Sequence, residues 1–324
     1  MDRPKQLVSF AQNAEDVVLA RTFQPWKFSG SWVDVGAGHP QFDSVTHLFS
    51  SFGWSGLNIE PLEAEYQLLC RDRSRDINAR CAITSSGGEV QLFVGPEDSR
   101  GTSTLVHDFS LGRDGALRPI ERVMSFPLQV LLDKHDITEV DFLKIDVEGS
   151  ELQVIASIDF SRFRARCILV EATEPGTRIP SHQDWEPLLL SAGYVFALFD
   201  GLNRFYFHDS ETQIGHFLDS PACVFDNYVS YHEMQRTENL SFQLYNAIDE
   251  LEVLRAAKEQ SDTYAKSLER ELEILRAAKE QSDTYAKSLE VMRSNGEIYQ
   301  EALQIKVESL SRQLAEHKAR FSKP

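Results

Sequence analysis

Two hydrophobic periods divide the chain. Up to about residue 240, short apolar, β-branched and aromatic runs are separated by segments with helical spacing and by turns rich in Gly, Asp, Asn and Pro. That alternation predicts an α/β domain with a mainly parallel sheet and crossover helices. The runs predict strands over 31–35, 56–60, 77–84, 89–94, 141–146, 167–171, 194–200 and 204–208. Helical spacing covers 12–22, 44–52, 62–71, 128–135, 150–158 and 185–191. Only Asp200-Gly201-Leu202-Asn203 separates the last two strands, too few residues for a parallel crossover, so an antiparallel hairpin is expected. It would put one reversed strand at an edge of the sheet. Residues 95–115, which include the pair Ser103-Thr104, have no clear period and read as a surface loop or a lid.

Beyond residue 240 Gly and Pro almost vanish, and residues 254–269 recur identically as 275–290. The period is 21 residues, three heptads, so the repeat keeps one helical seam. With Leu251 at position a, Leu272 and Val307 share that position, while Leu254, Leu268, Leu275, Leu289 and Leu310 fall at d. Lys258, Ser261, Lys279 and Ser282 also fall on the seam, where polar residues weaken a coil but fix its register and oligomer state. The expectation is a domain over 1–240 followed by a coiled coil over 241–324 that joins copies of the chain or acts as a spacer. Asn295-Gly296 would interrupt it.

Charge adds an exclusion. Residues 1–243 carry 20 basic and 35 acidic side chains, residues 244–324 carry 13 and 15, and the whole chain has net charge −17. An acidic body repels phosphate backbones and anionic lipid, which disfavours nucleic-acid partners. No apolar run is long enough for a membrane span and the first residues lack a signal peptide's apolar core, so a cytoplasmic protein is expected. Cys70, Cys81, Cys167 and Cys223 lie far apart without a CxxC pair and read as small buried apolar residues.

The first chemical motif is Asp34-Val35-Gly36-Ala37-Gly38-His39, an apolar strand ending in a D-x-G-x-G turn. Glycine lets a backbone approach a ligand closely. A dinucleotide fingerprint would need a third glycine where Gln41 stands, and Asp34 would repel a phosphate. A carboxylate there suits a cationic ligand such as the amino-acid end of S-adenosylmethionine. Glu60, 22 residues beyond Gly38 and followed by Pro61, ends the next strand and has the spacing of a carboxylate that accepts both ribose hydroxyls. The second motif runs from an apolar strand into a helix through Asp146-Val147-Glu148-Gly149-Ser150-Glu151. Ser150 reads as a helix N-cap, and Glu151 favours the helix dipole. Asp34, Glu60, Asp146, Glu148 and Glu171 should share one rim at the carboxyl ends of the strands, where they repel one another unless something positive binds among them.

Here the chain resembles the FkbM family of S-adenosylmethionine-dependent methyltransferases. The stretches that carry the resemblance are Gln12-Asn13-Ala14-Glu15-Asp16-Val17-Val18-Leu19, the turn at 33–38, Asp43-Ser44-Val45-Thr46, GWSGLNIEP at 53–61, Ser103-Thr104, FLKIDVEGSE at 142–151 and DGLNRFYF at 200–207. The resemblance implies a Rossmann-like class I methyltransferase fold, close to bacterial enzymes associated with surface polysaccharides. It places Asp34, Gly36, Ala37 and Gly38 at the methionine end of the donor, Glu60 and Pro61 at its ribose, and Asp146 and Glu148 in the family's DxEG signature. His39-Pro40 departs from the Asn/Asp-Gly usual after the glycine turn, and the coiled tail lies outside the family pattern.

The expected activity is O-methylation of a sugar hydroxyl in a glycan or polysaccharide, which would cap a growing chain, or of a small hydroxylated metabolite. Asp146 is the expected base, Glu148 its partner and His39 a lesser candidate. No residue is assigned as a resident metal ligand, although Asp146, Glu171 and substrate oxygens would suit Mg²⁺. Asn203 and Arg204 are candidate contacts to a polar acceptor, while His107, His135, His182, His208 and His232 show no ligand spacing and read as surface or capping residues. The coil would dock an oligomer onto glycan assembly machinery, at the periphery of the inner membrane. The competing expectation is a non-catalytic scaffold in which a degenerate domain anchors the coil.

Overall fold

The computed structural model describes residues 4–94, 103–104, 118–294, 306–313 and 315–316. The elements begin with β1 (Leu7–Ser9), α1 (Glu15–Phe23), β2 (Ser31–Val35), α2 (His47–Ser51), β3 (Ser55–Ile59) and α3 (Glu63–Asp72). They continue with β4 (Ile77–Ala79), β5 (Ala82–Ile83), β6 (Gly88–Val94), β7 (Ser103–Thr104), β8 (Arg118–Phe126), α4 (Leu128–Lys134), β9 (Glu139–Ile145) and α5 (Glu151–Ala156). The last are β10 (Arg164–Glu171), α6 (Glu186–Ser191), β11 (Tyr194–Phe199), β12 (Asn203–His208), α7 (Thr212–Gly215), β13 (Tyr228–Ser230) and α8 (Tyr231–Ser294). The chain divides into two compact units, Met1–Asn239 and Leu240–Pro324.

The first unit is built on a seven-stranded sheet in the order β11-β12-β10-β9-β2-β3-β4. Val33, Val35, Leu143, Ile145, Ile168 and Val170 turn to one face, against Leu128 and Leu132 of α4, Val154 of α5 and Leu189 of α6. Their neighbours Trp32, Phe142, Cys167 and Leu169 turn to the other, against Val17, Val18 and Phe23 of α1 and Phe49 of α2. Both faces are covered, so the strands read as near-continuous apolar runs. β2 lies between β3 and β9, both parallel to it, so its carboxyl end opens at the point where the chain changes direction across the sheet. Ligands gather at such a point in open α/β sheets.

The hairpin forms as expected, but the reversed strand is not the edge. β12 runs antiparallel to both β10 and β11, and β11 takes the outer position. The four-residue turn fixes only the mutual direction of the two strands, while burial decides their order. Phe205 and Tyr206 are buried on opposite faces of β12, whereas Val195, Phe196 and Phe199 leave β11 exposed. The run at 77–84 also splits. Ile77–Ala79 extends the main sheet beside β3, and Ala82–Ile83 joins β8 in a separate sheet of order β5-β8-β6-β7. No strand is predicted from the sequence over β8, where exposed Arg122 and Met124 alternate with inward-turned Val123 and Ser125 and leave too short an apolar run. Ser103-Thr104 pairs with Val94 and Phe93. The rest of the 95–115 stretch, with any lid it forms, lies outside the described residues.

Of the four free cysteines, Cys81 and Cys167 are buried, and Cys70 and Cys223 are half-buried instead of fully inside. α8 starts at Tyr231. Within the second unit the seam leucines Leu251, Leu254, Leu268, Leu272 and Leu275 are exposed, and Leu289 is the buried hydrophobic residue among those described. The chain is helical again over 306–313, where the Lys306 ammonium lies 4.6 Å from the Tyr285 ring centroid. Asn295-Gly296 lies outside the described residues. No helix among the described residues is long and apolar enough to cross a membrane.

Candidate active site

The glycine turn is tied to both neighbouring strands. Gly36 and Ala37 donate their N–H groups to the Ile59 carbonyl, at 3.0 and 3.1 Å, and Asp146 donates its own to the Val35 carbonyl at 3.0 Å. Gly36 sits at φ +80°, and a Cβ there would stand 1.8 Å from the Asp146 carbonyl oxygen, so the exit of β9 admits no side chain. Gly38, at φ +58°, has open space where a Cβ would go. Its N–H donates to Glu60 Oε2 at 2.8 Å, and the Leu62 N–H donates to Oε1 at 2.8 Å. The glycine turn and the strand-end carboxylate thus meet in one hydrogen bond, with half-buried Pro61 beside them. Glu60 is 4% exposed, and burial pushes its carboxyl up to about 7 against the pull of those two donors.

Asp34 and Lys144 face each other across the β2–β9 ladder. Asp34 is 1% exposed and accepts a hydrogen bond from the Thr46 hydroxyl at 3.1 Å. The Lys144 ammonium lies 3.3 Å from Asp34 Oδ1 and 3.3 Å from Asp146 Oδ2, and donates to the Gly36 carbonyl at 2.7 Å. Burial alone would lower the Lys144 pKa, but Asp146 and Asp34 together outweigh it and hold the ammonium above its ordinary range. The positive charge missing from the sequence-level rim is therefore one of the chain's own residues. Lys144 stands inside FLKIDVEGSE, where the motif by itself assigns it no role. The signal that could have found it is a lone charge within an apolar strand, between Leu143 and Ile145. Arg73 was missed as well: it pairs with Asp76 at 2.8 Å and donates to the Pro40 carbonyl at 3.2 Å, bracing the loop that departs from the family pattern.

Asp146, Glu148 and Glu171 each present a carboxylate oxygen, and the three lie within 4.8 Å of one another. The parallel register that pairs Val170 with Ile145 brings Glu171 beside Asp146. Glu148 adopts a left-handed φ of +52°, followed by Gly149 at +95°, which turns the chain back towards α5. Burial and repulsion from Asp146 push Glu148 well up, and burial together with Asp146, Glu148 and Glu151 pushes Glu171 further. Ser150 holds the N-cap position but makes no side-chain capping bond. Glu151, the first helical residue, accepts from the Gly149 N–H ahead of the helix at 3.0 Å, which pins the turn, and burial pushes its carboxyl up to about 7.

His39 Nδ1 accepts from the Gln41 and Phe42 N–H groups, both at 3.0 Å. In the neutral ring the proton then sits on Nε2, which makes the open nitrogen a donor and not a base. Asn203 pairs in register with Glu171, and its amide donates to Glu15 Oε1 at 2.7 Å. The Asn13 amide reaches the Asp200 carbonyl at 3.3 Å, so the stretches at 12–19 and 200–207 close on each other. Burial pushes Glu15 up to about 8. Arg204 is held by Glu186 at 2.6 Å and lies over the Phe196 ring.

A family model described as Methyltransferase FkbM domain matches residues 34–196. No curated protein matches the chain. Among solved structures, precorrin-6y C5,15-methyltransferase from Geobacter metallireducens GS-15 is 10% identical, with 64% of this chain and 93% of that chain covered. The TM-score between the two is 0.32.

Proposed function

Because the chain belongs to the methyltransferase FkbM domain family, whose model spans half of it, we propose that it moves the methyl group of S-adenosylmethionine to a hydroxyl oxygen of a sugar in a glycan. The observation that carries this reading is the Gly38 to Glu60 contact, which joins the glycine turn to the strand-end carboxylate. The residues fit the donor molecule. Space is open above Gly38, and each Glu60 oxygen accepts one N–H and keeps a second lone pair for a ribose hydroxyl. Asp34, Gly36, Ala37 and Gly38 would hold the methionine end and Glu60 with Pro61 the ribose.

Bound there, the sulfonium supplies an activated methyl carbon for in-line attack by oxygen. The chain's contribution is to bring that oxygen close and collinear and to take up its proton. Asp146, a third exposed and anchored through Oδ2 by Lys144, accepts the hydroxyl proton as the new O–C bond forms and the C–S bond breaks. Glu148 stands beside Asp146 and polarises the same acceptor. His39 offers its Nε2–H to an acceptor oxygen.

The exposed seam leucines of α8 support a homo-oligomer assembled through a coiled coil, and the glycan-methylation reading would put that oligomer in the cytoplasm, at glycan assembly machinery near the inner membrane. Sedimentation of the full chain tests the assembly: an oligomer that Leu254→Glu with Leu275→Glu reduces to monomers supports it, and a monomeric wild type removes it. Methyl transfer is tested with isotope-labelled S-adenosylmethionine against oligosaccharides and small hydroxylated metabolites. Label on the oligosaccharide is expected. Label only on a small metabolite replaces the glycan, and absence of donor binding by calorimetry leaves the non-catalytic scaffold.

A further inference from the structure

Three carboxylates meet at the neighbouring ends of β9 and β10, and the Lys144 ammonium does not pair with Glu171. Lys144 is shared between Asp34 and Asp146, and no lysine or arginine forms an ion pair with Glu171 among the described residues. Glu171 is 8% exposed, yet its Oε2 is fully buried and has no hydrogen-bond partner. An oxygen of that kind, left without a donor, is costly unless a ligand completes it. It belongs to a side chain whose carboxylate lies with those of Asp146 and Glu148, their ligand atoms all within 4.8 Å.

We propose that Asp146, Glu148 and Glu171 form a binding site for one divalent, oxygen-preferring cation of the Mg²⁺, Mn²⁺ or Ca²⁺ class. Oxygens on opposite sides of one ion stand about 4.0–5.2 Å apart at metal–oxygen distances of about 2.0–2.6 Å, so Ca²⁺ reaches across that span directly and the smaller Mg²⁺ or Mn²⁺ does so once the side chains close in by a few tenths of an ångström. A triad of carboxylates is a hard donor set, with neither sulfur nor imidazole to favour zinc or copper. Three protein oxygens leave about half of an octahedral shell open for two neighbouring hydroxyls of an acceptor and a water. The ion would thereby select vicinal diols, which are common on sugars. This use of the open positions rests on the methyl-transfer reading, whereas the cation site itself does not.

The test is titration of Mn²⁺ into the full-length protein, stripped of metal and without donor or acceptor, followed by the loss of the free-ion signal in electron paramagnetic resonance. One ion per chain is expected, displaced by excess Mg²⁺ or Ca²⁺. Glu171→Gln and, separately, Glu148→Gln should each weaken binding at least tenfold, with circular dichroism establishing that each variant is folded. Mn²⁺ that stays free at millimolar concentration, or binding unchanged in a folded Glu171→Gln variant, overturns the site. Calorimetry of the same metal-free protein with S-adenosylmethionine separates the two claims. Donor binding without Mn²⁺ binding removes the cation and leaves methyl transfer, and Mn²⁺ binding without donor binding does the reverse.

Discussion

At the scale of single residues, the site depends on how buried charges are matched. Lys144 holds Asp34, Asp146 and the Gly36 carbonyl, so one side chain ties two strand ends to the glycine turn. Removing one member of a buried pair leaves the other uncompensated. Lys144→Met should cost about 3 kcal/mol in urea unfolding, and Asp34→Asn in the same chain should recover at least ~1 kcal/mol of it. Strictly additive effects would show that the pair is not coupled. Glu60 makes a separate prediction, because its carboxyl titrates near 7. Below that pH it holds a proton and loses an acceptor, so S-adenosylmethionine should bind about tenfold more weakly at pH 6 than at pH 8. Calorimetry across that range should give a pH-independent, weaker affinity for Glu60→Gln, and a flat wild-type profile would exclude ribose contact through this carboxylate.

At the scale of elements, the turn between β2 and α2 uses two glycines for different reasons. Gly36 is excluded from carrying a side chain by backbone, whereas Gly38 is constrained only by its dihedral angle. Gly36→Ala should therefore destabilise by more than about 4 kcal/mol, and Gly38→Ala by about 1–2 kcal/mol. Denaturant midpoints compare them directly, and equal losses would mean that the β9 exit yields. The pair was legible as a motif, but its division of labour was not, because the Asp146 carbonyl that meets Gly36 comes from more than a hundred residues away. The reversed strand teaches the same lesson. The shortness of the Asp200–Asn203 turn dictates the antiparallel direction of β11 and β12, and packing of Phe205 and Tyr206 decides their order.

At the scale of the whole molecule, several acids are buried at once. Glu60 and Glu151 are pushed up to about 7 and Glu15 to about 8, each first by burial. Unfolded, they would titrate near 4.5, so between pH 6.5 and 8 the folded state holds protons that the unfolded chain has released. Stability then falls as pH rises through that window. Half-buried His47, whose pKa is lowered by partial burial, works in the opposite direction only below its ordinary value near 6.5. The thermal midpoint at fixed ionic strength should decline from pH 6.5 to 8, less steeply in Glu15→Gln, and a rising midpoint would refute the linkage. Sequence alone determined the two hydrophobic periods, the strand-to-turn motifs at Asp34, Glu60 and Asp146, and the 21-residue repeat, because each is written in local spacing. Only the tertiary structure decided that Lys144 neutralises Asp34, that Glu15 meets Asn203, and that Glu171 Oε2 is left without a partner. A residue's period tells which face of its own element is buried. The charge or hydroxyl it meets there is set by which distant element packs on that face.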